Sequence, residues 1–274
     1  MRGAFRLFRF AGIQVFLHFS WFLVAAIFMT DYMRRYESPI WGALEYISVF
    51  AIVLIHEFGH ALACRQVGGI ANQIVLWPLG GIAFVNPPRR PGAYLWSIAA
   101  GPLVNVILLP VLWFASQLVK ASLPGSDIVV YFHDLMWINT WLLVFNILPV
   151  FPLDGGQIVR GLLWFPFGEF RSLQIASVIG LIGGAILGII GLMVGSIWWA
   201  ILAFFLLSRA WVGWQQAKAM IAMSRMQIPI PPSPSAPENV PPSPRSGHPE
   251  REAMDPCHGI SKVSATGRVR AERA

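Results

Sequence analysis

The residues in this chain best equipped for chemistry are two histidines four apart, with a glutamate directly after the first: Ile55-His56-Glu57-Phe58-Gly59-His60-Ala61. On a helix, positions i and i+4 share a face, so both imidazoles can reach one Zn²⁺ while Glu57 stands where it can act on a water at the metal. The motif lies inside a long apolar run, where an ionisable group costs at least a few kcal/mol unless it has a partner or a cavity. No basic residue within that run neutralises Glu57, and a dication would. The alternative is purely structural, with interhelical hydrogen bonds for the histidines and a buried ion pair for the glutamate.

A catalytic zinc holds three protein ligands and an open water position, so two imidazoles leave it one ligand short. Asp154 is the strongest candidate for the third. It lies in the segment Asn146-Ile147-Leu148-Pro149-Val150-Phe151-Pro152-Leu153-Asp154-Gly155-Gly156, and no other carboxylate stands between Asp134 and Glu169. Depth agrees with the pairing: His56 lies nine residues before Arg65, roughly 13 Å at 1.5 Å rise per residue, and Asp154 lies at the same end of its own span. Taken alone, Asp154 also fits a plain Asp-Gly turn. Pro149 and Pro152 forbid a regular helix just before it, and irregular backbone at membrane depth implies a cavity. Asn146 could aim its amide at a developing oxyanion or at substrate backbone, or it could bond between helices.

These residues need a scaffold, and the composition says which kind. Of 274 residues, 56% are hydrophobic and 12% charged, about half the charged fraction of a soluble domain. The formal charge of +7 is scattered in ones to threes between apolar runs, with no basic stripe of the kind that binds nucleic acid. Cys64 and Cys257 support neither a disulfide framework nor a cysteine zinc site. The expected fold is therefore an all-α polytopic membrane protein. Apolar stretches long enough to cross a core of about 30 Å run roughly over residues 13–30, 41–64, 94–119, 129–151, 173–195 and 196–212, which makes six.

Arg2, Arg6 and Arg9 precede the first stretch as in a signal peptide, but no small-residue cleavage site follows, so it reads as an uncleaved span. Its Gln14, His18 and Ser20 are unusual at membrane depth and are expected near the interface or bonded within the bundle. Arg2, Arg6, Arg9, Arg65, Arg89, Arg90, Arg160, Arg171, Arg209, Lys218 and Arg225 fall on one side of these spans, and Arg34, Arg35 and Lys120 on the other. That imbalance puts both termini in the cytoplasm. Between the second and third spans, residues 72–88 contain two short β-prone runs around Pro78-Leu79-Gly80-Gly81. They read as a membrane-associated β-hairpin, tolerated at depth only where it is buried in protein or lines a cavity, or else as an apolar cytoplasmic loop. Gly180, Gly184 and Gly188, then Gly191 and Gly195, stand four apart and predict close helix packing. From Gln227 to the end the chain turns Pro-rich and loses periodicity, which predicts a disordered tail. The membrane-embedded domain is accordingly 1–226 and the tail 227–274.

H-E-F-G-H followed about 90 residues later by N-x-x-P-x-x-P-L-D-G-G resembles the site-2 protease family of intramembrane metalloproteases. Supporting marks are Gly12-Ile13-Gln14-Val15 with His18, the Gly80-Gly81 hairpin, and Ala100-Gly101-Pro102-Leu103-Val104-Asn105, so the resemblance runs from about residue 11 to 165. It implies that His56, His60 and Asp154 bind one Zn²⁺, that Glu57 is the general base, and that Asn146 assists the substrate; by resemblance alone, Asn105 joins Asn146. It also implies a substrate that is itself a membrane protein with a single span, cut within the bilayer. Neither a PDZ-like insertion nor a CBS-like pair is recognisable, which points to a minimal, prokaryotic form. A transporter or metal-binding membrane protein could use the same His/Asp cluster. Glu57 separates the two, because a conduction site has no need of a general base beside its first histidine. A non-catalytic binding protein on the same fold is a third reading, disfavoured because every catalytic residue type is present.

Overall fold

The computed structural model describes residues 3–23, 36–77 and 80–226. Its elements are strands β1 (Ala4–Phe10) and β2 (Ile13–His18), helix α1 (Pro39–Gln66), strands β3 (Ile70–Trp77) and β4 (Gly80–Asn86), and helices α2 (Pro91–Ser122), α3 (Asp127–Ile147), α4 (Asp154–Val194) and α5 (Ile197–Met226). All five helices are long and apolar enough to cross a membrane, and the protein is a multi-pass membrane protein. α1 and α2 each open on a proline, which needs no N–H partner there and arrives with a helical φ. The Asp127 carboxylate at the start of α3 accepts from the backbone N–H groups of Glu37 and Ser38 at 3.0 and 2.9 Å, tying α3 to the chain just ahead of α1.

The expected hairpin is present as β3 and β4, but it is half of a larger unit. The four strands form one mixed sheet in the order β1-β2-β3-β4, antiparallel except where β2 runs parallel to β3. The expected first span therefore begins differently: its residues 13–18 form β2 rather than helix. Ile13, Val15 and Leu17 alternate inward, and with Ala71, Ile74 and Leu76 of β3 they pack on Val53, Ala61 and Cys64 of α1. A period of two buries one face of a strand, and the same residues in a helix would scatter around the axis. The tight turn uses Ala11 and Gly12, both at positive φ, and the Arg65 guanidinium donates to the Ala11 carbonyl. Gln14 pairs within the sheet, and His18 stacks on Trp77 with ring centroids 4.1 Å apart. Residues 20–23 are helical; residues 24–30 of that expected span, and the tail expected from Gln227, lie outside the described residues.

Among the other spans, α3 stops at Ile147 and the Pro149–Pro152 segment runs on without helix to Asp154. α4 is broken at Gly168, whose φ of 79° no helix accommodates. Gly180, Gly184 and Gly191 let α5 approach: a Cβ at Gly184 would stand 3.0 Å from Leu207, and one at Gly191 2.6 Å from Trp199. Gly195 differs from that expectation, since it caps α4 in the left-handed conformation instead of packing.

Candidate metal centre and active site

One helix turn on α1 and the first residue of α4 meet at the centre of the bundle. His56 Nε2 lies 3.1 Å from Asp154 Oδ2, His60 Nε2 lies 3.2 Å from the same oxygen, and the two Nε2 atoms are 3.1 Å apart. His56, His60 and Asp154 are thus the described His, Cys, Asp and Glu side chains that converge as a potential metal site. A tetrahedral zinc with bonds near 2.0–2.1 Å needs ligand atoms about 3.3 Å apart, so the triangle fits such an ion with little adjustment. The donor set of two neutral imidazoles and one carboxylate is a recognised zinc set, leaving a fourth position open.

The hydrogen bonds behind the two imidazoles decide which nitrogen of each would face a metal. Asn105 on α2 donates through Nδ2 to Asn139 Oδ1 at 2.7 Å, while Asn139 donates back to the Asn105 carbonyl at 2.9 Å. That fixes the Asn105 amide, so its Oδ1 accepts from His56 Nδ1 at 2.5 Å. His60 Nδ1 donates to the Ser97 carbonyl at 2.9 Å. Both Nε2 lone pairs are therefore left pointing at the site, the arrangement in which an outer partner fixes tautomer and ring orientation. Asn105, placed with the substrate-directed residues by resemblance, is fully buried, and its amide is committed to His56 and Asn139.

Glu57 is buried beside the pair, and its Oε2 accepts from the Ala83 N–H of β4 at 2.8 Å. β4 lies at the sheet edge, so Ala83 turns its N–H away from β3, and the carboxylate occupies it. The fit is tight: a Cβ at Gly81 would fall 2.2 Å from Glu57 Cγ, and one at Gly101 2.2 Å from His60 Nε2. Close approach, rather than backbone conformation, is what these two glycines provide.

Asp154 is held by its own neighbourhood. Gly155 and Gly156 let the first turn of α4 sit directly on the preceding loop, where a Cβ would come 2.2 Å from the Ile147 carbonyl oxygen and from the Phe151 nitrogen respectively. Gln157 donates through Nε2 to the Pro152 carbonyl at 3.1 Å and accepts from the Tyr94 hydroxyl at 3.2 Å. Tyr94 in turn accepts from Arg160 Nη1 at 3.2 Å, with the guanidinium 4.8 Å from its ring centroid. This chain of contacts clasps the loop between α3 and Asp154. Replacing Gln157 by Ala is expected to weaken zinc binding by about tenfold, as loss of an outer partner does, with little change in melting temperature. Chelator competition measures it, and an unchanged affinity would mean the loop is held without Gln157.

Asn146 stands on the last turn of α3, half-buried, and among the described residues its amide makes no hydrogen bond. It is adjacent to Ile147, whose carbonyl oxygen abuts Gly155. The structure adds Ser97, Asn139, Ala83, Tyr94 and Gln157, which the sequence does not single out. Backbone groups carry no side-chain signature, and a single Tyr or Gln near a helix start has no spacing that singles it out.

Known proteins resemble this chain. Residues 117–190 match the model for peptidase family M50. A zinc metalloprotease of Methanocaldococcus jannaschii is 32% identical over 180 residues, 66% of this chain and 51% of that protein. A putative zinc metalloprotease of Synechocystis is 30% identical over 217 residues, 73% and 56% of the two chains. This chain spans about half the length of these curated relatives. The solved structure of the site-2 protease from Methanocaldococcus jannaschii superposes with a TM-score of 0.58 at 30% identity, covering 77% of this chain and 95% of that one. With the two-part motif, the fold and a 30% identical structure covered almost end to end, the chain belongs to the site-2 protease family of membrane metalloproteases, peptidase family M50.

Proposed function

We propose that this protein is an intramembrane zinc endopeptidase of the HExxH type that hydrolyses a peptide bond within or near the transmembrane segment of single-span membrane proteins, in regulated intramembrane proteolysis. The observation that carries the reading is the triangle of His56, His60 and Asp154 donor atoms, 3.1–3.2 Å on each side, with an uncoordinated carboxylate, Glu57, beside it. His56, His60 and Asp154 would hold a single Zn²⁺. Bound there, the ion supplies a Lewis acid that polarises the scissile carbonyl and lowers the pKa of water toward about 7.

Glu57 does the proton work. The Ala83 N–H holds Oε2 and leaves Oε1 to accept a proton from the attacking water. The water oxygen adds to the carbonyl carbon, the C–N bond breaks, and the same carboxyl delivers its proton to the leaving nitrogen. Asn146 offers its uncommitted amide to the oxyanion or to substrate backbone, while Asn105 keeps His56 in the productive tautomer. Both termini then lie in the cytoplasm, as the positive-inside count supports, and the site lies in the cytoplasmic half of the bilayer, so the water path to it is short. Residues 1–226 form the membrane-embedded protease domain and 227–274 a cytoplasmic tail.

A substrate helix hides its carbonyls in its own hydrogen bonds and must unwind before cleavage. β4 is the edge strand of the sheet, and beyond the Ala83 N–H that Glu57 holds an unwound segment can add to it as a further strand. A proline at Val85, two residues from Ala83 and so on the same outward register, removes an edge donor without removing one that pairs with β3. Val85→Pro is expected to raise KM severalfold with zinc content unchanged, and an unaltered KM would exclude edge addition. The activity itself is tested by incubating purified protein, its zinc quantified, with a generic single-span substrate in detergent. Cleavage abolished by a chelator and restored by zinc is expected; metal uptake without cleavage across several substrates would favour a transport or binding role for the same cluster.

A further inference from the structure

The site leaves one feature of the molecule unused. Above Ala217, which is fully buried, α4 and α5 are tightly packed, but toward the break at Gly168 they part and leave an open notch of about 680 Å³. Arg171 and Gln174 of α4 and Lys218 and Ser224 of α5 line it, together with Phe167 and Glu169. Arg171 and Lys218 are both exposed, and among the described residues neither makes an ion pair. Lys218 instead rests 3.6 Å from the centre of the Trp214 ring. Two cations against one carboxylate leave the notch one positive charge in excess.

Its depth is what gives that charge a ligand. The apolar run of α4 begins at Leu173 and that of α5 ends at Val212, so Arg171 and Lys218 stand just beyond the hydrocarbon, at headgroup level. Trp211 and Trp214, ring centroids 5.0 Å apart, occupy the belt where amphipathic rings collect. Leading from the notch into the membrane, Ile175, Val178, Ile182 and Ile186 are all exposed on α4, and their spacing of three or four residues makes one continuous apolar track.

We propose that this notch is a binding site for an anionic phospholipid, whose phosphodiester sits between Arg171 and Lys218 and whose acyl chain follows the Ile175–Ile186 track. Gln174 and Ser224 are in place to hydrogen-bond the polar headgroup, and the single excess charge matches the single charge of a lipid such as phosphatidylglycerol. Each cation near an anionic headgroup favours binding by severalfold. The inference does not depend on the proteolytic reading.

The test is lipid binding to the full chain in detergent, followed by native mass spectrometry with phosphatidylglycerol and phosphatidylcholine of the same acyl chains. Phosphatidylglycerol is expected to bind roughly fivefold more tightly than phosphatidylcholine. The doubly substituted R171Q/K218Q chain should lose most of that preference, and R171K/K218R should keep it. K120Q, at the far end of α2, should also keep it. Equal binding of the two lipids, or a preference that survives R171Q/K218Q, overturns the proposal. Displacement of phosphatidylglycerol by millimolar inorganic phosphate would assign the notch to a soluble anion and overturn the lipid assignment.

Discussion

Glu57→Gln is expected to lower cleavage of a single-span substrate by roughly 10²- to 10⁴-fold, the contribution of a positioned general base, while bound zinc stays at the wild-type level. The glutamine side chain has the same shape, and its amide oxygen can still accept from the Ala83 N–H. It cannot take a proton from water at neutral pH. Because Glu57 is not among the converging donors of His56, His60 and Asp154, metal content has no reason to change. Parallel measurement of turnover and zinc stoichiometry separates the roles. A variant that keeps both would remove Glu57 from the mechanism, and one that loses zinc would make Glu57 a ligand or a structural residue.

The second large effect is expected at a residue with no functional group. Gly101→Ala should weaken zinc binding by at least about 100-fold and abolish cleavage with it. The added methyl would lie 2.2, 2.4 and 2.8 Å from Nε2, Cε1 and Cδ2 of His60. A ring on a flexible side chain can swing aside, so the fold survives. That swing breaks the bond from Nδ1 to the Ser97 carbonyl and carries Nε2 out of the donor triangle. Intrinsic propensity works the other way, since Ala is about 1 kcal/mol better than Gly inside a helix. The apo variant should therefore melt no lower than wild type while failing to hold zinc in a chelator competition. Wild-type zinc affinity in Gly101→Ala would mean that His60 does not pack against α2 as described.

Both predictions join a residue readable in the sequence to a contact that is not. The five described spans, the hairpin and the zinc-type cluster follow from local rules: apolar run length, β-prone composition, and two histidines one helix turn apart. These signals survive because each depends on residues close together in the chain. Ile13–His18 shows where local rules compete. Its alternation of apolar and polar residues has the period of a strand, yet it opens an apolar run whose length reads as a span. Its pairing with β3, about 60 residues further on, decides the outcome, because parallel pairing and burial on α1 satisfy both its backbone and its Ile13-Val15-Leu17 face.

Within the site, the sequence alone determined the residue types and their spacing: His56, Glu57 and His60 on one helix, and an aspartate after a proline-broken helix end. The tertiary structure decided that Asp154 reaches the two histidines, that Asn105 and the Ser97 carbonyl set their tautomers, and that Ala83 on a sheet edge holds the glutamate. It also decided why Gly81 and Gly101 carry no side chain. The physical reason is range. A helical face is fixed by 1.5 Å of rise per residue, whereas a hydrogen bond between α1 and α2, or a clash avoided between them, exists only once distant segments are packed together.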